Sequence, residues 1–256
     1  MTAGPLLEGR RAIITGAATE SGIGFATAKL FAEHGAGVAL LDLDAAALAG
    51  RVAALGKLGA GHAAFSCDVR NRHACEAAVA QAAEALGGID ILVNVAGLVH
   101  GTALMEISDA EWDAVVDVNL KGSFNMARAT APHMQTAGGG AMVLMSSIAD
   151  ENGGGVFGRS HYAAAKAGIF GLAKALAREL AGDAIRVNAV APGPIDNDFT
   201  KGAMTREIKD AIAGNVPLGR IGRSDEIAGV CLFLASELSS FVTGTVIDAN
   251  GGLLIH

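Results

Sequence analysis

The sequence predicts one α/β domain built on a doubly wound, seven-stranded parallel sheet with helices on both faces. Three observations predict it. Short apolar runs alternate with longer Ala-rich stretches of helical period along the whole chain. Most of those runs are near-continuous instead of alternating, as strands are when both faces are covered. Hydrophobic residues make up 51% of the 256 and charged residues 18%, which gives material for a large core and none of the character of a disordered chain.

In chain order, strands are expected at Ala12–Thr15, Val38–Leu41, Ala63–Cys67, Ile89–Val93, Ala141–Met145, Ile185–Val190 and Thr245–Asp248. Helices are expected at Gly24–His34, Ala45–Leu58, Arg72–Leu86, Asp109–Thr136, Tyr162–Leu180 and Ser224–Leu238. No linker or internal repeat divides the chain, so residues 1–256 read as a single domain. A sheet of this type takes its ligands beyond the carboxyl ends of the strands, which directs attention to the loops after each strand.

Several classes of function are disfavoured by composition. The net charge is -7, with Lys and Arg scattered singly, so there is no basic stripe for nucleic acid. Met1–Arg10 lacks the apolar core of a secretory signal, and no apolar run is long enough for a bilayer. Cys67, Cys75 and Cys231 are odd in number and form no CxxC, which reads as a reduced, cytoplasmic compartment with packing cysteines. None has His or acidic partners at zinc spacing, so no metal is expected.

The first strand runs into Thr15-Gly16-Ala17-Ala18-Thr19-Glu20-Ser21-Gly22-Ile23-Gly24 and then a helix. Such a turn lets backbone approach a pyrophosphate at the helix N-terminus, although Gly-rich turns also serve merely to reverse a chain. Asp42 ends the second strand, 18 residues after Gly24, where a carboxylate accepts hydrogen bonds from ribose hydroxyls. The alternative is a helix cap, a part Asp44 can also fill. Asp42, with Glu20, would repel the extra phosphate of NADP, and neither loop carries Arg or Lys, so NAD is the expected cofactor. Asp68-Val69 and Asn94-Val95-Ala96-Gly97 close the next two strands; each frames a nucleotide or is ordinary turn chemistry.

Tyr162 and Lys166 stand four residues apart on one helix face. A Tyr near its usual pKa of about 10 is a poor acid–base catalyst at neutral pH, and a nearby ammonium is expected to lower it. Ser146 and Ser147 follow the fifth strand at the same end of the sheet, where a hydroxyl can steady charge developing on a substrate oxygen.

With these motifs in order, the chain resembles the short-chain dehydrogenase/reductase family, in its compact single-domain branch with a Rossmann fold, from about Leu7 to Leu254. The resemblance rests on Thr15–Gly24, Asp68, Asn94–Gly97, Asn119 in Val118-Asn119-Leu120-Lys121-Gly122, Ser147, Tyr162–Lys166 and Arg186–Gly193. It implies a catalytic set of Asn119, Ser147, Tyr162 and Lys166. Tyr162 would exchange a proton with the substrate oxygen, and Lys166 would lower its pKa and hold the nicotinamide ribose. Ser147 would polarise the carbonyl, and Asn119 would support a water leading to the Lys. For the cofactor it implies Gly16, Ser21, Gly22, Ile23 and Gly24 at the pyrophosphate, and Asp42 at the ribose. Asp68, Val69, Asn94, Ala96 and Gly97 would lie about the adenine and its neighbourhood, and Pro192, Gly193, Ile195 and Asn197 at the carboxamide. A homotetramer paired through the long helices and the C-terminal segment is implied as well.

The departures from the family pattern are local. Five residues lie between Gly16 and Gly22, two more than the pattern has, so Thr19–Ser21 should bulge. Ser147 precedes Tyr162 by 15 residues, also about two more than expected, which leaves Ser146 as a second choice for the catalytic hydroxyl. Val95 and Asn197 stand where the family has Asn and Thr.

Residues 196–216 are expected to form a substrate lid, with His100, Asn152, His161 and Phe199 as substrate contacts. The polar groups Asp150, Glu151, Asn152, His100 and His161 point towards a sugar, sugar acid or polyol. The runner-up is a 3-oxoacyl thioester, since the chain also resembles 3-oxoacyl carrier-protein reductases. A non-catalytic NAD(H)-binding sensor is the alternative of another class, and it would have no need of Asn119, Ser147, Tyr162 and Lys166 together.

Overall fold

The structure is a computed structural model that describes residues 4–59, 61–155, 157–200 and 202–256. Met1–Ala3, Ala60, Val156 and Lys201 lie outside the described residues, Lys201 falling within the 196–216 stretch expected to form a lid.

The strands are β1 (Arg11–Thr15), β2 (Gly37–Asp42), β3 (Ala63–Ser66), β4 (Ile91–Asn94), β5 (Gly140–Met145), β6 (Ile185–Pro192), β7 (Ile195–Asp196), β8 (Gly222–Arg223) and β9 (Val246–Ala249). The helices are α1 (Ile23–Glu33), α2 (Ala45–Leu55), α3 (Arg72–Leu86), α4 (Asp109–Val116), α5 (Gly122–Ala137), α6 (Ala149–Asn152), α7 (Ser160–Glu179), α8 (Arg206–Ala213) and α9 (Ser224–Ala235). Seven strands form one parallel sheet in the order β3-β2-β1-β4-β5-β6-β9, and β7 and β8 make a separate two-stranded pair. The order reverses direction between β1 and β4, and the crevice at such a switch point is where a doubly wound sheet binds its ligand.

The apolar strands are covered on both faces, which is why they do not alternate. One core layer joins Phe25, Ala28 and Phe31 of α1, Leu48 of α2 and Cys231 of α9 to Ile14, Leu40 and Val143. The other joins Val79 of α3, Met126 of α5 and Ile169 of α7 to Ile13, Leu92 and Leu144. All three cysteines lie buried as free thiols. No helix among the described residues is long and apolar enough to cross a membrane.

The expected helix over Asp109–Thr136 is not continuous. One turn of π-helix, Asp117–Lys121, separates α4 from α5. Its cause is Asn119, whose Nδ2 donates to the Val115 carbonyl at 2.8 Å and so takes an acceptor that the α-helical ladder would use. The last helix likewise ends at Ala235, because Ser236 is extended, and only a 3-10 turn follows over Glu237–Ser239.

The amino-terminal edge of the sheet is closed by a partly buried ion pair. Arg11 Nε and Nη2 donate to the two oxygens of Asp90 at 2.7 and 2.8 Å, and the Arg11 backbone N–H donates to Oδ2 at 2.9 Å. Burial pushes the Asp90 carboxyl up, but the Arg11 hydrogen bonds and charge outweigh it and hold the group below the ordinary carboxylate range. A carboxyl depressed on folding contributes stability that is full above its unfolded value of about 4 and is lost as pH falls through the folded value. Thermal melts should therefore show Asp90→Asn lowering stability by about 1.5–3 kcal/mol at neutral pH. The difference from wild type should shrink as the pH is taken below about 4.

Candidate active site and dinucleotide cleft

At the carboxyl edge, the Gly-rich turn folds as a backbone cradle. Gly16 has φ 67°, and a Cβ there would lie 2.8 Å from the Ala96 nitrogen. A Cβ at Gly24 would run into the Gly16 carbonyl oxygen, so the helix start can pack against the turn only without side chains. Ile23 opens α1, with Gly22 as its extended cap. Beside this cradle is an open cleft whose lining includes Gly16, Asp42, Asp68, Val69, Ala96 and Val118.

Asp42 is not the helix cap. Asp44 fills that place, accepting from Ala47 N at 2.9 Å. The Asp42 oxygens accept from Ala18 N at 3.0 Å and Leu43 N at 2.7 Å, which fixes the carboxylate at the cleft. Asp68 is gripped by Arg70 through Nε and Nη2, and those hydrogen bonds hold its carboxyl below the usual range. Sequence spacing missed one cation here: Arg51 on α2 donates to the Ala18 carbonyl at 3.0 Å, lies over the Phe25 ring, and pairs with Glu20 at 3.1 Å. A long side chain reaching from a neighbouring helix leaves no signature in the loop it meets.

The two-residue expansion of the turn faces the 196–216 segment and the start of α9. Ser21 Oγ donates to Asp198 Oδ2 at 2.8 Å and accepts from Asp198 N at 3.2 Å, while Ser224 Oγ donates to the Ser21 carbonyl at 2.7 Å. The Ser21 hydroxyl, expected at the pyrophosphate, is thus turned to Asp198. Asn197 Oδ1 accepts from Phe199 N at 3.0 Å, and Phe199 lies over Gly97, with its ring edge 3.6 Å from where a Gly97 Cβ would be. Pro192 ends β6, Gly193 N donates to the Ala249 carbonyl at 3.0 Å, and Ile195 starts β7. Within the 196–216 segment, α8 buries none of its residues.

Asn94 does not face the cleft as expected. It is buried: its Oδ1 accepts from Thr15 Oγ1 at 2.8 Å and its Nδ2 donates to Ser123 Oγ at 2.9 Å. The Thr15 hydroxyl in turn accepts from Val95 N and Ala96 N, both at 3.0 Å, so this network shapes the turn from inside. Asn119 is equally buried. Besides Val115, its Nδ2 donates to the Leu98 carbonyl at 2.7 Å, clamping the 97–98 backbone above the catalytic helix.

On α7, the Lys166 ammonium lies under the Tyr162 ring, 5.6 Å from its centre, and the Ser147 hydroxyl is near enough to the phenol to favour its ionised form. Lys166 Nζ donates to the Met145 carbonyl at 2.7 Å, which leaves two further N–H donors. The geometry separates the two serines: Ser146 Oγ is turned inward to Asp150 and the Lys166 carbonyl, which leaves Ser147 as the hydroxyl on the phenol's side.

The expected fall in the Tyr162 pKa is not found in the protein alone. Burial pushes the phenol up to about 12; the Ser147 hydroxyl opposes this, and the charge of Asp150 adds to it. Burial also brings Lys166 down to about 7, against the pull of Asp150. A cation beneath the ring face, itself drawn towards neutrality, does little to stabilise a phenolate at the ring edge.

Most polar groups expected to line a substrate pocket are engaged within the protein. His161 is fully buried with Nε2 3.1 Å from Glu111, so it is a helix–helix contact and not a substrate contact. Asn152 Oδ1 accepts from Gly154 N at 2.8 Å as an ordinary turn former, and Glu151 pairs with His256 at 3.2 Å. His100 lies 3.8 Å from Glu111 and stays half-exposed.

Comparison with known proteins agrees with this geometry. Residues 16–254 match the family model described as enoyl-(acyl carrier protein) reductase. A short-chain type dehydrogenase/reductase of Sinorhizobium fredii is 46% identical over 252 residues, 98% of this chain and 100% of that one. A 3-oxoacyl-[acyl-carrier-protein] reductase of Thermotoga maritima is 41% identical over 249 residues, 97% and 99% of the two chains. The crystal structure of a short-chain type dehydrogenase/reductase from Mycobacterium marinum superposes with a TM-score of 0.88 at 36% identity, covering 98% of this chain and 97% of that one.

Proposed function

The chain belongs to the short-chain dehydrogenase/reductase family of oxidoreductases, and from that premise we propose that it moves a hydride between NAD(H) and the 3-oxo/3-hydroxy pair of an acyl thioester. The observation that carries the reaction type is the grouping of Ser147, Tyr162 and Lys166, with Lys166 beneath the Tyr162 ring, at the edge of the sheet where the cleft opens. The glycine cradle at Gly16 and Gly24 and the carboxylate of Asp42 fit a dinucleotide, which supplies the hydride acceptor or donor when bound. Tyr162 then receives the proton of the alcohol oxygen, or returns it to the carbonyl, and Ser147 steadies that oxygen. Lys166 offers its two remaining donors to the cofactor ribose, and residues 196–216 cover the substrate.

The acyl-thioester substrate is supported by the identity to the Thermotoga reductase over nearly the whole chain, and by the engagement of Glu151, Asn152 and His161 within the protein. A sugar, sugar acid or polyol is the second reading, favoured by His100, which stays half-exposed after the Asn94–Gly97 turn. Absorbance assays with NAD and NADP against hydroxyacyl thioesters, polyols and sugar acids separate the two. Turnover on polyols alone overturns the thioester reading, and tight NADH binding without any turnover supports a sensor.

The same reading includes a homotetramer. Trp112 on α4, Phe124 on α5 and Leu238 and Phe241 near the C-terminal strand are exposed apolar residues that a partner copy would cover. Light scattering should give four times the mass of 25.7 kDa, and a monomeric mass would refute the assembly.

A further inference from the structure

Beside the catalytic pair lies a carboxyl that the reaction so far leaves unused. Asp150 is on α6, three residues after Ser147. Its Oδ2 accepts from Ser146 Oγ at 2.7 Å, and the same hydroxyl stands 2.8 Å from the Lys166 carbonyl, so one proton serves two acceptors. This hydroxyl joins β5, α6 and α7 at the residues next to Ser147 and on Lys166. The other oxygen, Oδ1, is buried without a hydrogen-bond partner. A buried carboxylate with one oxygen unpartnered keeps a strong field on its neighbours.

The charged groups around it do not neutralise that field. Glu151 of α6 and Asp248 of β9 are both acidic, and both push Asp150 upward, behind the larger effect of its burial. His256 lies between those two, 3.2 Å from each, and forms no pair with Asp150. Glu111 of α4 is turned to His161 and His100. From α7 the groups facing Asp150 are Tyr162 and Lys166, and its charge raises the pKa of both.

We infer that Asp150 is a positioning residue for the Ser147–Tyr162–Lys166 set: anchored by Ser146, whose hydroxyl also meets the Lys166 carbonyl, its carboxylate holds α6 against α7 and turns its charge on that set. The inference rests on the reading of Tyr162 as the acid–base group. Its test nevertheless reads the phenol directly, so a failure of the proposed activity leaves the result interpretable.

Tyr162 is the only tyrosine among the 256 residues, so phenolate absorbance in the ultraviolet titrates this one group. The experiment compares wild type with Asp150→Asn, with circular dichroism at each pH marking the folded range. Removing a negative charge lowers the pKa of a neighbouring acid, so phenolate should appear at a pH about 0.5–1 unit lower in Asp150→Asn. Asp150→Glu, which restores the charge, should return it towards wild type. The rising limb of the pH profile for alcohol oxidation, which needs the phenolate, should move in the same direction. Should Asp150→Asn not fold, Ser146→Ala releases the carboxylate from its anchor and should give a smaller shift of the same sign. A phenolate titration that stays in place in the folded variants overturns the inference, because a merely structural carboxyl would alter stability and leave the phenol where it was.

Discussion

Tyr162→Phe is expected to lower turnover by roughly 10²–10⁴-fold while leaving NADH affinity within about twofold of wild type, since general acid–base catalysis is worth that much and the ring is retained. The substitution removes only the phenol hydroxyl, on the side of Ser147. The buried ring, packed with Val115 and Ala149, keeps its place over Lys166. Steady-state rates with NADH fluorescence titration check both halves. A variant that retains most of its turnover would mean that another group carries the proton, and loss of cofactor affinity would mean that the phenol serves the dinucleotide instead.

Asp42→Ser should reverse the cofactor preference. In wild type, a phosphate on the adenosine ribose would be brought against a fixed carboxylate, and like charges placed together cost several kcal/mol. Removing Asp42 should therefore raise kcat/KM with NADP by about 10–100-fold. It should lower kcat/KM with NAD by roughly tenfold, as the ribose loses an acceptor. Adding Glu20→Gln should extend the gain, because Arg51 is then released from its 3.1 Å pair beside the phosphate turn. The check is kcat/KM measured with both cofactors. Wild-type turnover that already favours NADP would sink the argument from Asp42.

The sheet was readable from sequence because seven apolar runs, covered on both sides, give a strong and repeated signal. The strands lie where those runs predicted, within two residues at nearly every end. What periodicity could not supply came from single side chains and short elements. Asn119 breaks a long helix by a bond to the backbone at Val115, a contact with no effect on the apolar pattern. The four residues of α6 and the two-residue strands β7 and β8 are shorter than any period. At the site, motif spacing brought Ser147, Tyr162 and Lys166 into one neighbourhood but could not orient them. Whether Ser146 or Ser147 meets the phenol depends on which faces Asp150, and the direction of the Tyr162 shift depends on burial. His161 and Asn94 were placed on a ligand surface by their neighbours in sequence, and packing turned both inward.

The parallel sheet also separates two kinds of tolerance. Asp90 and Arg11 lock the edge where the strands begin, while Asp42, Ser147 and the 196–216 segment cluster where strands end. Durability and specificity can therefore drift independently. Substitutions that harden the first edge need not disturb selectivity, and the second edge can be refitted to a new alcohol on a scaffold that stays folded. A protein arranged in this way is suited to directed evolution in two separate stages, thermal hardening first and loop diversification second.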